Sequence, residues 1–575
     1  MSVPGVRRAW RGPPRRPRAA LAKPLPPKKP ALLSERTGDL GATITGMVVS
    51  TPRSSVSPSP EHTPSRPGRD REAVLLPARP GRPRAEGDGP KVAVVGGGIA
   101  GVAAAVALAE RGARVVLHEA REDLGGRLRG WESGNGEVMT RGFHAFFRQY
   151  YNLRALLRRV DPGLDRLRPV ADYPLVHANG TRESFEGLPL TPPWNVAGFV
   201  LRSPAFGLRD LVRMNGAAAS ALFDVSVPGT YADLDGVDAD TFLRRIGFPD
   251  AARHLAFEVF SRSFFAHPSR LSAAELVTMF HIYFLGSSEG LLFDVPDAPY
   301  PEALWEPLRR HLEALGAQVR TGSAVERVDR TGSGHRVVAG GAADEVDAVV
   351  LAADVPGLRS VVGASPELAD AAWRTKVGSL RTAPPFLVSR YWLDRPARVD
   401  RPPFLGTSGF RLLDNISVLD LFEEPARAWR ERTGGSVVEL HAYAVDEAEV
   451  ATEAGRAEVA ARLLAEAEGV FPELAGARVE HVEHVVGQDC PLFAPGTFGD
   501  RPTVTTTDPT VVVAGDLVRV DLPVALMERA ATSGFLAANA LLGHWGVQGH
   551  DLWSVPNRGR SPLLRKAAAR APKVR

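Results

Sequence analysis

Three glycines, Gly96, Gly98 and Gly101, stand at G-x-G-x-x-G spacing directly after the apolar run 91–95 and open an alanine-rich segment. In that context each has a separate task. The first permits a tight turn, the second lets backbone approach a pyrophosphate, and the third lets helix and strand pack closely. Ile99 and Ala100 would then lie in the first helical turn, whose free N–H groups and dipole favour a negatively charged group. A second apolar run, 114–117, leads to Glu119 and Ala120, and Glu119 follows Gly96 by 23 residues, the distance at which a carboxylate meets ribose hydroxyls. The chemistry indicated is dinucleotide binding.

Three further clusters carry polar groups into apolar surroundings. Gly125, Gly126 and Arg127 follow the acid, and far downstream the run 511–514 ends in Gly515 and Asp516. Between 144 and 151, His144, Phe146, Phe147, Arg148, Tyr150 and Tyr151 crowd aromatic and ionisable side chains together. Aromatic walls with a few polar groups suit an apolar ligand slot, and His144, Arg148 and Tyr150 are the candidate catalytic groups. The alternative for the cluster is core packing, with Arg148 paired to a local acid. Glu258, His267, Glu275 and His281 compete with His144 as base.

The elements needed to hold these residues are short buried strands and helices of an α/β protein. Strands are expected over 91–95, 114–117, 317–328, 345–353, 386–393, 416–421, 437–445 and 511–514, and helices over 151–159, 206–223, 239–246, 251–265, 271–285, 303–315, 451–467 and 527–542. The wide apolar faces across 196–310 fit either ordinary helix packing or contact with a lipid surface without spanning it.

With 575 residues the chain can bury a large core and should divide into two or three regions. The single cysteine, Cys490, excludes an internal disulfide framework and cysteine-cluster metal or iron–sulfur sites within one chain, so no metal is expected and a reducing compartment is the simpler setting. Residues 1–90 hold 17 Lys plus Arg against 7 Asp plus Glu, a net of +10, whereas the whole chain is only +4. The remainder is therefore mildly acidic, and nucleic acid is not an expected partner. Rich in Pro, Ser and Arg and without period, 1–90 reads as a disordered basic extension. Its apolar stretch 40–50 is too short to span a bilayer, and the basic end 551–575 reads as a solvated tail.

The order of strand, glycine turn, helix, strand, acid and Gly-Gly-Arg resembles the flavin-dependent amine oxidase and carotenoid desaturase superfamily. That resemblance implies FAD, a Rossmann-like FAD-binding domain of the glutathione reductase/amine oxidase type, and an interleaved α+β substrate domain. The FAD-binding parts would be 91–170, 311–375 and 486–550, and the substrate parts 171–310 and 376–485. It also implies that the loop at Gly125 to Arg127 packs beside the FAD diphosphate, that Val319 or Val325 lies near the adenine, and that Gly515 and Asp516 lie beside the ribityl chain. The stretch RGFHAFFRQYYNLRALLRR is similar to the carotene desaturase/methyltransferase family of the isorenieratene synthase type. Its members imply a carotenoid substrate, aromatisation of β-ionone rings with migration of a methyl group within the substrate, and peripheral contact with the inner face of the cell membrane from the cytoplasm. Phytoene or carotene desaturation without methyl shift, amine oxidation, and a basic-tailed binding protein on a nucleotide fold are the alternatives. The electron acceptor stays open.

Overall fold

The computed structural model describes residues 66–205, 214–249, 252 and 263–570. Residues 1–65 of the extension expected over 1–90, most of 251–265 with Glu258, part of 206–223, and the last five residues of the tail lie outside the described residues.

The strands Gln318–Arg320, Arg114–His118, Lys91–Val95, Ala348–Leu351 and Val511–Val513 form, in that spatial order, one parallel sheet. Parallel strands are covered on both faces, so they read as unbroken apolar runs rather than alternating ones. Val92, Val94, Val349 and Val511 are accordingly buried. The sheet draws its strands from three distant stretches of chain, and the expected substrate segments are inserted between them. Helix Ile99–Glu110 fills the space between this sheet and helix Leu526–His544. Alanines make that close approach possible: a Cβ on Gly534 would sit 2.3 Å from the Ala100 carbonyl oxygen.

The second large sheet has seven strands, in the order Val479–Gly487, Phe386–Leu393, Ser436–Ala442, Asn415–Val418, Phe404–Ser408, Leu175–His177 and Arg182–Glu183. It is antiparallel except between Phe404–Ser408 and Leu175–His177. Its strands come from both expected substrate segments. Helices Ala239–Ile246 and Ala273–Phe280 pack on one another, each capped at its N-terminus by a side chain, Asp238 on the Thr241 N–H and Ser272 on the Ala274 N–H.

Several sequence expectations need correction. The segment 416–421 is a strand only to Val418, after which Leu419–Leu421 turn as a 3₁₀ helix. The expected single strand over 317–328 divides into Gln318–Arg320 and Val325–Arg330, and the latter belongs to a separate three-stranded antiparallel sheet with His335–Ala339 and Ala342–Val346. The boundary at residue 90 is too late. Val74–Leu76 pairs antiparallel with Leu552–Ser554, and the buried Asp70 accepts a hydrogen bond from Arg560 at 2.5 Å. The tail is likewise docked at its start, where Asn557 bonds both the N–H and the C=O of Val227. Local composition missed these contacts because each partner is hundreds of residues away.

Candidate active site

One cavity of about 710 Å³ runs from the glycine turn to a group of aromatic rings. At its nucleotide end, helix Ile99–Glu110 starts at Gly98 without a side-chain cap, so its first N–H groups face the space. Gly96 has φ +108°, in the region that favours glycine, and a Cβ on Gly101 would sit 1.8 Å from the Gly96 carbonyl oxygen. Gly101 therefore acts through packing and does not line the cavity. Gly98 and Gly126 face one another across the opening, where a Cβ on Gly98 would meet nothing nearer than 3.9 Å and one on Gly126 nothing nearer than 3.5 Å. Side chains here would fill a cradle, not disrupt a core.

Ile99, Ala100, Glu119, Ala120, Gly125 and Arg127 line the same end. The Glu119 carboxylate accepts from the Gly97 N–H at 2.8 Å and the Arg121 N–H at 2.9 Å, which ties the strand end to the glycine turn and leaves further lone pairs for hydroxyl donors. Val325 also lines it; Val319 instead pairs with Leu117 within the sheet and is not on the cavity. Gly515 has φ +141°, and its N–H donates to the Ser533 hydroxyl at 2.9 Å. Asp516, buried beside it, accepts two hydrogen bonds from Arg127.

At the far end, Phe143 stacks on Phe404 with ring centroids 4.4 Å apart, and Tyr173 lies 4.8 Å from Phe404. His144 lines this part. Its Nδ1 donates to the Gly142 carbonyl at 2.9 Å, and burial lowers its pKa to about 4, so the ring is neutral near pH 7. Tyr150 also lines the cavity, with its hydroxyl 2.5 Å from that of Tyr283. Arg148 is the exception within the expected catalytic set. It turns away from the cavity and pairs with Asp294 at 3.0 Å, a carboxylate shared with Arg154 at 2.7 Å. The chain there is a two-residue strand, Phe146–Phe147, so alternation sends Phe147 and Arg148 to opposite sides.

The competing bases are placed elsewhere. Glu275 is buried between Arg501 and Arg529; burial acts to raise its pKa, but the two guanidinium groups outweigh it and hold the pKa at about 2. His281 is buried and bonds the Pro556 carbonyl, and exposed His267 bonds the Ser269 hydroxyl. None of the three lines the cavity.

Sequence reading missed two further groups at the cavity. Arg141 pairs with Asp489 through hydrogen bonds of 2.5 and 2.8 Å. Tyr443, His441 and Asn415 line the aromatic end, backed by buried Glu439. Glu439 and His441 point to one face of the strand Ser436–Ala442, and Tyr443 continues the step of two just beyond its end. That polar repeat was the signal available. Cys490 lines the cavity as a thiol that burial pushes up to about 12, so it stays protonated.

The parallel sheet, the uncapped helix start and the glycine cradle define an FAD-dependent oxidoreductase. Residues 99–542 match the family described as flavin containing amine oxidoreductase, and the chain belongs to that family. A carotenoid phi-ring synthase from Streptomyces griseus is 59% identical over 509 residues, spanning 88% of this chain and 98% of that protein. A carotenoid phi-ring synthase from Chlorobaculum tepidum is 27% identical, spanning 82% and 91%. Among solved structures, cyclohexylamine oxidase from Brevibacterium oxydans shares the fold with a TM-score of 0.59 at 16% identity, covering 79% of this chain and 99% of that one.

Proposed function

We propose that this FAD-dependent oxidoreductase modifies carotenoids, and that it desaturates and aromatises β-ionone rings with intramolecular methyl migration, taking beta-carotene to isorenieratene. The observation that carries this reading is the continuity of one cavity from the flavin cradle to the aromatic end, in a chain so similar along its length to a phi-ring synthase. FAD, when bound, would accept one hydride in each of the two oxidations that aromatise a ring, an external electron acceptor reoxidising it between them.

The chain's own residues suit a ring that becomes electron-poor. The rings of Phe143, Phe404 and Tyr173 offer π faces to developing positive charge. Arg127 and Arg141 are each matched by a carboxylate, and His144 is neutral, so these three groups add no unbalanced positive charge. The same apolar walls exclude water, which would otherwise add to a ring cation. His144, with Nε2 as its lone-pair nitrogen, and Tyr150 border the cavity as polar groups of the substrate end.

An apolar substrate of this kind reaches the protein from a membrane, and we place the protein at the cytoplasmic face by peripheral contact. Helix Trp194–Arg202 leaves Trp194 67% and Leu201 80% exposed. Its buried residue Phe199 stacks on Phe185, which touches the cavity residue Tyr173. No helix among the described residues is long and apolar enough to cross a membrane. Purified protein loaded with FAD and given beta-carotene in lipid vesicles tests the reading: extracted carotenoids should contain aromatic rings with a changed methyl pattern. Added conjugation with the methyl pattern intact would contradict it.

A further inference from the structure

Four residues form a continuous hydrogen-bonded line that ends at the substrate end of the cavity. Arg390 donates to Oε2 of Glu439 at 2.7 Å, Oε1 of Glu439 lies 2.8 Å from Nε2 of His441, and Nδ1 of His441 lies 2.8 Å from the Tyr443 hydroxyl. Asn415 donates to that hydroxyl through Nδ2 at 3.0 Å. The donor pattern follows from chemistry. An ionised carboxylate only accepts, so Nε2 carries the hydrogen, Nδ1 holds the lone pair, and the Tyr443 O–H must donate to it. Burial acts to raise the Glu439 pKa, but Arg390 and His441 hold it at about 2, so the carboxylate is ionised.

We propose that Tyr443 is the proton acceptor for the ring-aromatising reaction, with His441 taking the tyrosine's own proton and Glu439 positioning His441 and stabilising its charged form. The inference rests on the carotenoid reading above. In the step, a C–H bond of the oxidised, cationic ring breaks and its electron pair becomes a ring double bond. The released proton bonds to the Tyr443 oxygen while the original hydroxyl proton moves to Nδ1 of His441. Tyr443 ends neutral, and the charge rests on an imidazolium beside a carboxylate. The hydride removed earlier in the same two-electron oxidation would be accepted by bound FAD.

This line is better built for the task than His144. Among the described residues no carboxylate pairs with the buried His144, whereas His441 has one at 2.8 Å. Burial and Asp414 both raise the Tyr443 pKa well above that of a free phenol. A tyrosinate is therefore disfavoured, and proton transfer has to be concerted through the imidazole. The ionisable groups around the pair are Asp414, which accepts from the Tyr443 N–H at 2.6 Å, together with Tyr173, His144, Arg390 and Glu423. The Tyr443 ring packs edge-on to Phe265 at 4.8 Å, a contact that phenylalanine keeps.

The test compares FAD-loaded wild type with Tyr443→Phe and His441→Gln on beta-carotene in vesicles, measuring flavin content, thermal midpoint, product distribution and solvent deuterium isotope effect. Both variants should keep flavin content and thermal midpoint, form aromatic rings about 100-fold more slowly or worse, and accumulate oxidised rings that are not aromatic. The wild-type isotope effect should disappear in Tyr443→Phe. If either folded variant aromatises rings at the wild-type rate with the wild-type isotope effect, the proposal is overturned. If wild type leaves the rings unmodified, the carotenoid-ring reading itself fails and this inference falls with it. Should one variant not fold, the other decides. Nitrogen-15 spectra of His441 add a readout independent of turnover: a neutral ring protonated at Nε2 supports the line, and one protonated at Nδ1 contradicts it.

Discussion

The Arg127 guanidinium grips the Asp516 carboxylate at both ends, with hydrogen bonds of 2.8 and 2.5 Å across 389 residues of sequence. The Gly-Gly-Arg loop and the Gly-Asp turn, two separate motifs, are thereby locked into one wall of the cavity, the wall proposed to cradle FAD. Removing one member of such a pair leaves the other charge without its partner. Asp516→Ala should lower FAD affinity at least about tenfold, equal to about 1.4 kcal/mol, as read by flavin fluorescence titration. Unchanged affinity would show that the pair holds only protein.

The glycines separate packing from binding. Gly98→Ala places a methyl group into open space in the cradle, so the protein without FAD should keep its thermal midpoint while retaining little flavin on purification. Gly101→Ala collides with the Gly96 carbonyl and should lower expression and thermal midpoint together. Equal effects of the two substitutions on stability would refute the distinction.

The nucleotide half of the fold was legible because its signals are local. Strand, turn, helix and acid follow one another within thirty residues. The substrate half was less so. Arg148 looked chemical beside His144, but its fate depended on Asp294, a partner 146 residues away. Tyr443 was overlooked for the converse reason: its strand was recognised, yet its polar face acquires meaning only when Asn415 and the cavity are brought against it. The strand Val74–Leu76 is three residues long, too short to show a period.

Buried ion networks set the response to acid. Glu275 has its pKa held at about 2 against 4.5 for the free group, so its contribution is present above about pH 4.5 and is lost as pH falls toward 2. His281 behaves in a higher window: its pKa is lowered from 6.5 to about 4 by burial, so the unfolded chain binds the proton first and stability falls as pH drops from 6.5 to 4. Denaturation measured between pH 7 and 3 should show a shallower loss across 6.5 to 4 in His281→Gln. Glu275→Ala, which strands two buried arginines, should cost about 3 to 5 kcal/mol at pH 7. A stability curve flat between pH 7 and 4 would contradict the histidine assignment.

Membrane contact through helix Trp194–Arg202 predicts that Trp194→Ser with Leu201→Ser weakens binding to lipid vesicles in a flotation assay, with FAD content unchanged. Losing two exposed apolar side chains should reduce partitioning by at least about tenfold, given roughly 1.5 kcal/mol or more for each side chain. Equal flotation of variant and wild type would place the lipid contact elsewhere.

The most direct test of the central claim is to express the full chain in cells that make beta-carotene, then determine bound flavin and the ring structure of the extracted carotenoids from the same culture. The account predicts stoichiometric FAD and carotenoids whose end rings are aromatic, with one methyl group moved from the geminal carbon to its neighbour. FAD with carotenoid rings unchanged, or with added double bonds and the geminal methyl pair intact, would contradict it.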